Sequence, residues 1–175
     1  MKKYILIFFE MLGMQILAAV FSMFFFIDII PVKLFSLFTA WLLVWALHST
    51  FWQLGNKDRK NLIIHNNHND DENKKKQNML HGALVALPHL AINILLIFIT
   101  YIFNTDLLVT IQNFLMFSFI GFLPKVKDEL DSAFIVSRLI VCMVMYLPCV
   151  TAYISGSHGF SFVEKYFPKL VYKNK

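Results

Sequence analysis

Residues 55–78 read GNKDRKNLIIHNNHNDDENKKKQN and form the longest polar run of the chain. They hold six of its sixteen Lys and Arg residues, and the apolar runs on both sides are long enough to cross a bilayer. We therefore predict that this segment is a polar loop between membrane spans. Loops rich in Lys and Arg remain on the cytoplasmic side, so residues 55–78 and the N-terminus, with Lys2 and Lys3, are predicted to be cytoplasmic.

The remainder of the chain is too apolar for a soluble domain. Of its 175 residues, 58% are hydrophobic and only 15% are charged, and the mean hydropathy is +0.61. A soluble domain of this size needs more polar surface to cover itself. The sequence therefore predicts an all-α fold with one domain, a polytopic integral membrane helix bundle, and we expect its location to be a bacterial cell membrane.

The charges indicate the partners. The net charge of +5 comes from Lys and Arg residues at helix ends and in the C-terminal tail, where they favour anionic lipid headgroups. We therefore expect the chain to interact with the lipid bilayer and not to bind nucleic acid. A chain this small is also expected to form a homo-oligomer or to join a larger membrane-protein partner. No cofactor is predicted, and Cys142 and Cys149, about 10 Å apart on one helix, are interpreted as packing residues.

Five apolar runs define the predicted helices, and two topologies fit them. The helices are expected at residues 4–27, 34–54, 79–103, 107–123 and 133–154, followed by an amphipathic tail at 155–175 lying on the membrane surface. Because 17 residues is the lower limit for a span, residues 107–123 form either a short helix that crosses or a re-entrant segment. We favour five transmembrane helices, which place the tail opposite residues 55–78. The alternative is four transmembrane helices and a re-entrant segment, which places the tail on the same side as residues 55–78.

Small and polar side chains recur at helical spacing on three of the predicted helices. Polar groups cannot be left in hydrocarbon, so these stripes are expected to face the interior of the bundle. The stripes are Gln15, Ala18, Ala19 and Ser22 on the first helix, Gly82, Ala86, His89, Asn93 and Thr100 on the third, and Arg138, Cys142, Met145 and Cys149 on the last.

A polar cluster inside the membrane is the first candidate site. Ionisable groups in a bilayer are costly and seek partners, and the five-span topology puts Glu10 and Arg138 at one depth, where we expect an ion pair. The candidate cluster consists of Glu10, His48, His89, Asn93 and Arg138. Such a set can relay protons or hold an anionic group. The alternative is a purely structural pair, with the histidines bonded to backbone carbonyls.

Two further groups of residues invite a functional interpretation. Trp41, Trp45 and Trp52 follow one face of the second helix, which is typical of a packing or lipid-facing stripe, and alternatively of an aromatic wall for a cationic ligand. His65 and His68 lie near three acidic residues in the polar run, but no second spaced pair of ligands accompanies them. We predict a solvated linker there and no metal site.

These features favour a transport-linked or accessory subunit of a membrane complex. The alternative is a non-catalytic immunity, assembly or regulatory membrane protein, which requires only the packing stripes. A membrane enzyme acting on lipid headgroups through His48, His81 and His89 is less favoured, because no nucleophile or set of metal ligands accompanies them. The sequence carries no nucleotide-binding or metalloprotease motif.

Overall fold

The computed structural model describes residues 2–24, 31–65, 71–123 and 132–160. In this part of the chain all regular structure is helical. The elements are α1 (Lys2–Phe24), α2 (Val32–His65), α3 (Asp71–Phe103), α4 (Asp106–Leu115) and α5 (Ser132–Ser157), with a 3-10 turn at Phe117–Phe119 after α4. The expected all-α membrane bundle is confirmed.

Four of the helices are long and apolar enough to cross a membrane. The candidate spans are Ile5–Met23, Val32–Asn61, His81–Phe103 and Ser132–Ser157. Their outward faces carry large exposed aliphatic and aromatic side chains, such as Leu17, Leu95 and Val136. Lipid is a good solvent for such faces, whereas the small and polar residues turn towards the other helices.

Among the described residues only four helices are long and apolar enough to span, so the structure corrects the favoured five-span topology and has the alternative arrangement of four helices and a re-entrant segment. Within the predicted fourth helix at 107–123, α4 has only ten residues, a length of about 15 Å. The hydrocarbon layer is about 30 Å thick, so α4 reaches about halfway. It ends at Leu115, and the backbone of the next residue, Met116, leaves the helical conformation with φ −100° and ψ 13°.

The segment after α4 returns towards the end of the bundle from which α4 entered. The carbonyl oxygen of Leu115 accepts a hydrogen bond from Gln15 Nε2 at 3.1 Å, whereas Ser118 Oγ lies 3.3 Å from Ser22 Oγ. Ser22 is about 10 Å farther along α1 than Gln15. Residues 106–121 therefore enter the bundle, reach the level of Gln15 and come back, which defines them as a re-entrant segment.

The return is completed at the first turn of α2. The amide nitrogen of Gly121 donates to Ser36 Oγ at 2.7 Å. A Cβ atom at Gly121 would lie 2.8 Å from both Ser36 Oγ and the carbonyl oxygen of Val32. Only glycine permits this close approach, so Gly121 ties the end of the re-entrant segment to the start of α2.

Glycines also allow α2 and α5 to pack in close contact. A Cβ atom at Gly55 would overlap the carbonyl oxygen of Tyr153, and one at Gly156 would overlap that of Trp52. Trp52 Nε1 also donates to the carbonyl oxygen of Phe160 at 2.7 Å. The C-terminal parts of α2 and α5 therefore lie side by side, and the two helices run parallel.

These contacts define two ends of the bundle. We call the end with Gly55, Gly82 and Gly156 the polar end, and the end with Val32 and Asn104 the turn end. Residues 155–160 lie at the polar end, beside the first part of the 55–78 segment. The five-span topology had placed them on the opposite side of the membrane from that segment. Residues 161–175 of the predicted tail lie outside the described residues.

Helix also extends through most of the segment predicted to be a loop. α2 continues to His65 and α3 begins at Asp71, while residues 66–70 lie outside the described part. Helix is compatible with the sequence, because Lys, Arg, Gln and Glu are good helix formers and no Pro interrupts the run. The cytoplasmic placement of this end stays a prediction.

Candidate intramembrane polar site

The three stripes of small and polar residues do face the interior. Gln15, Ala19 and Ser22 are buried on α1, and Ala18 is half-buried. On α3 and α5 the whole of each predicted stripe is buried: Gly82, Ala86, His89, Asn93, Thr100, Arg138, Cys142, Met145 and Cys149. The prediction from helical spacing is confirmed, and the polar members of these stripes form the interior site.

Gln15, His89 and Asn93 form a hydrogen-bonded cluster between α1 and α3. His89 Nε2 lies 2.9 Å from Gln15 Oε1, and Gln15 Nε2 lies 3.4 Å from Asn93 Oδ1. Asn93 Nδ2 donates to the carbonyl oxygen of His89 at 2.9 Å. The polar groups are thus bonded to one another, which removes much of the cost of burying them.

Arg138 lies between α5 and the re-entrant α4. Its side chain has 0% exposure. Nη2 donates to Asn113 Oδ1 at 2.6 Å, and the guanidinium carbon lies 3.6 Å from the centre of the Phe134 ring. Among the described residues no carboxylate lies within ion-pair distance of Arg138, and its Nε has no hydrogen-bond partner there. Within the part of the chain that the structure describes, this cation is therefore buried with neutral partners only.

Gln112 is a second polar residue of α4 that is buried inside the bundle. Its side chain is 1% exposed, yet neither Nε2 nor Oε1 has a hydrogen-bond partner within the described ranges. A buried donor or acceptor without a partner typically costs about 1–3 kcal/mol. The re-entrant segment thus brings unsatisfied polar atoms into the membrane interior.

Hydroxyl groups hold the returning part of the segment in place. Thr39 Oγ1 donates to the carbonyl oxygen of Ser118 at 3.0 Å, in addition to the Ser22–Ser118 and Ser36–Gly121 contacts. Ser22, Ser36, Thr39 and Ser118 are all buried. Backbone without helical hydrogen bonds is tolerated at membrane depth only where protein groups surround it, and these hydroxyl groups meet that need.

The structure separates the predicted polar cluster. His89 and Asn93 are together, but Glu10 and His48 are exposed on the outer faces of α1 and α2. The expected ion pair between Glu10 and Arg138 is not formed, because Arg138 is fully buried against α4. The expectation depended on the five-span topology, in which α5 runs the other way and Arg138 shares a depth with Glu10.

The tryptophan stripe lies mainly on the outside of the bundle. Trp41 and Trp45 are 52% and 56% exposed, and their rings meet edge to face at 5.0 Å. Trp52 is half-buried at the polar end, where it contacts α5. Trp41 and Trp45 therefore do not line the interior with His89 and Arg138.

Sequence reasoning missed a second cluster at the polar end. Tyr153 Oη donates to Asp58 Oδ2 at 2.8 Å, and His81 Nε2 lies 3.8 Å from the same oxygen. The cluster joins α2, α3 and α5 at the edge of the apolar core, to which Tyr153 belongs. Asp58 had been assigned to a solvated loop, so no helical face was predicted for it. Gln112 and Asn113 were missed as well, although two adjacent amides in an apolar run of 17 residues were a usable signal.

Groups of three or more His, Cys, Asp or Glu placed to hold a metal ion are not found in the described ranges; His68, one of the two histidines considered for such a site, lies outside them. No family model, curated protein or solved structure matches the chain.

Proposed function

We propose that the protein is a transport-linked membrane subunit that holds an anionic group at Arg138, between α5 and the re-entrant segment. One observation carries the proposal: a fully buried arginine whose contacts in the described part of the chain are an amide oxygen, a backbone carbonyl and an aromatic ring. An ionisable group in this position inside a membrane bundle typically marks a substrate or ion pathway.

The energetics favour a negatively charged ligand. A charge at the centre of a membrane helix costs about 2.5–3.5 kcal/mol even on the lenient insertion scale. Asn113 satisfies one N–H group but leaves the positive charge uncompensated. An anion would accept a hydrogen bond from Nε–H and neutralise the charge, and arginine binds planar and tetrahedral oxyanions well because of its fork of donors.

The re-entrant segment is the element that relates this site to transport. Arg138 has no exposed surface, so an anion reaches it only when a neighbouring element moves. α4 is short, and broken or re-entrant helices recur where transporters bind their substrates. The contacts of Gln15 with Leu115 and of Arg138 with Asn113 are the links that such a movement would break.

Anion-dependent stability tests the proposal. Purified protein is heated in detergent at fixed ionic strength with chloride, nitrate, acetate or phosphate as the varied anion. We expect at least one anion to raise Tm in a saturable way, because a ligand at 100 times its Kd stabilises the native state by about 2.7 kcal/mol. Arg138→Gln should abolish the rise. Arg59→Gln is the matched control, since Arg59 lies at the polar end.

Equal responses of the native protein, Arg138→Gln and Arg59→Gln to every anion would contradict the proposal. If one anion does stabilise the native protein, its uptake into proteoliposomes tests the link to transport. Retention of binding without uptake would indicate an accessory role, in which the site holds a group of a larger partner.

A non-catalytic assembly or regulatory role is the second candidate, and the outward aromatic face favours it. Phe38 stacks on Trp41, and Trp41 meets Trp45 edge to face along α2. Lipid-facing Trp is unusual away from the membrane interfaces, which indole prefers. Replacing Trp41 and Trp45 by Leu should then change the oligomeric state or partner retention in native membranes. If neither property changes, the aromatic face only contacts lipid and the second candidate is contradicted.

A further inference from the structure

We propose that the small cavity between α1, α3 and α5 is a binding site for one Cu(I) ion. Two methionines, one cysteine and one histidine line it together: Met11, His89, Cys142 and Met145. Thioether and thiolate sulfur are the ligands that select Cu(I), and imidazole also binds copper. The inference goes beyond the anion site and uses different residues.

The cavity has the size and burial of a site for a single ion. Its volume is about 10 Å³, room for one water-sized body. The four candidate ligands are all buried. They come from three helices, with Cys142 and Met145 one turn apart on α5, His89 on α3 and Met11 on α1. A bound ion would thus join three helices.

A hydrogen bond to Gln15 sets the tautomer of His89. Gln15 Nε2 donates to the carbonyl oxygen of Leu115, which fixes the amide so that Oε1 faces His89. Oε1 can only accept, so His89 Nε2 carries the proton at a distance of 2.9 Å. Nδ1 then keeps its lone pair, and Asn93 Nδ2 lies 3.5 Å from it, at the limit of a hydrogen bond. Metal-binding histidines usually donate one ring N–H to a carbonyl or carboxylate oxygen while the other ring nitrogen binds the metal.

Charge balance favours a monovalent ion. The lining contains two groups that can become anions, the thiol of Cys142 and the phenol of Tyr146. The phenol donates to the carbonyl oxygen of Ala83, which leaves the thiol as the anionic ligand. On binding, the S–H bond of Cys142 is replaced by an S–Cu bond, and the proton passes to the buffer. Cu(I) and one thiolate together are neutral, which suits a low-dielectric interior. A divalent ion would leave one uncompensated positive charge there, and buried net charge is strongly unfavourable.

Competition for Cu(I) tests the site. Purified protein in detergent is titrated anaerobically with the Cu(I)–bicinchoninate complex, and the loss of the coloured complex gives stoichiometry and affinity. We expect one equivalent bound by the native protein. Cys142→Ser and Met145→Leu should each weaken binding at least tenfold, as loss of a ligand or of its support typically does. X-ray absorption of the loaded protein should show sulfur neighbours of copper.

The same helix supplies matched controls. Cys149 is buried with its thiol bonded to the carbonyl oxygen of Met145, and Met143 is exposed; neither lines the cavity. Cys149→Ser and Met143→Leu should therefore keep native affinity. Met145→Leu conserves volume and is expected to fold. Its thermal unfolding without metal checks that it does. If Cys142→Ser does not fold, the Cu(I) affinity of Met145→Leu alone tests the site.

Three results would overturn the proposal: no Cu(I) retained by the native protein against bicinchoninate, equal affinity in native protein and Met145→Leu, or preferential retention of Zn²⁺. Arg138→Gln should bind Cu(I) normally. The two proposals can therefore fail separately, because Arg138→Gln removes the anion site alone and Met145→Leu removes the copper site alone.

Discussion

At the scale of single residues, the buried polar side chains of this bundle differ in where their hydrogen-bond partners come from. Gln15, His89 and Asn93 bond to one another, whereas Arg138 depends on an amide from a different element. The hydrogen bond between Asn113 and Arg138 is the direct link between α4 and α5. It is charge-assisted, and such bonds are about twice as strong as neutral ones.

Asn113→Ala should therefore destabilise the protein strongly. It removes the acceptor of a buried guanidinium group, and hydrogen bonds to charged groups contribute about 1.5–3 kcal/mol. Thermal or denaturant unfolding in detergent measures the loss. Thr110→Ala is the control, because Thr110 is exposed on the same helix, and it should change stability by less than about 0.5 kcal/mol. Equal effects of the two substitutions would show that Arg138 does not depend on Asn113.

Gln112→Leu should leave stability unchanged or raise it by about 1 kcal/mol. It removes two buried polar atoms that have no partner among the described residues, and it keeps most of the volume. The same unfolding measurement checks this. A loss of more than about 1 kcal/mol would mean that Gln112 is satisfied by a bound water or ligand.

At the scale of elements, helical spacing predicted the interior faces correctly but could not give the path of residues 107–123. A stripe such as Arg138, Cys142 and Met145 is fixed by 3.6 residues per turn, whichever way the helix runs. The end of α4 is instead determined by contacts from distant parts of the chain, such as Ser118 with Thr39 and Gly121 with Ser36. A run of 17 apolar residues has the same composition whether it crosses or returns.

That error explains the failure of the expected ion pair. Placing Arg138 beside Glu10 required α5 to begin at the polar end, and depth along a helix has no meaning until its direction is known. His89 and Asn93 were placed correctly because they are one turn apart on one helix. Pairs within an element could be predicted from the sequence, and pairs between elements could not.

Packing between α2 and α5 gives a prediction at this scale. Gly156→Ala should destabilise the protein by about 1–3 kcal/mol, because a Cβ atom there would overlap the carbonyl oxygen of Trp52 and force the helices apart. Gly13→Ala is the matched control, since nothing lies within 4 Å of a Cβ atom at Gly13. It should be neutral or slightly stabilising. Unfolding of both variants under one set of conditions makes the comparison, and a tolerated Gly156→Ala would contradict the close packing.

At the scale of the whole molecule, the central claim is that four helices span the membrane and residues 106–121 enter and leave on one side. The polar end then carries the end of α2, the start of α3 and the end of α5. This arrangement puts Arg138 beside the re-entrant segment, on which the proposed anion site depends. The copper site requires only the packing of α1, α3 and α5.

Cysteine accessibility across an intact membrane tests this claim most directly. In a background with Cys142 and Cys149 replaced by Ala, single cysteines are placed at Asn61, Thr105 and His158, all of which are exposed. An impermeant maleimide is then applied to one side of oriented membranes. With four spans, Asn61→Cys and His158→Cys should react from the same side and Thr105→Cys from the opposite one. Reaction of His158→Cys together with Thr105→Cys would show five spans and contradict it.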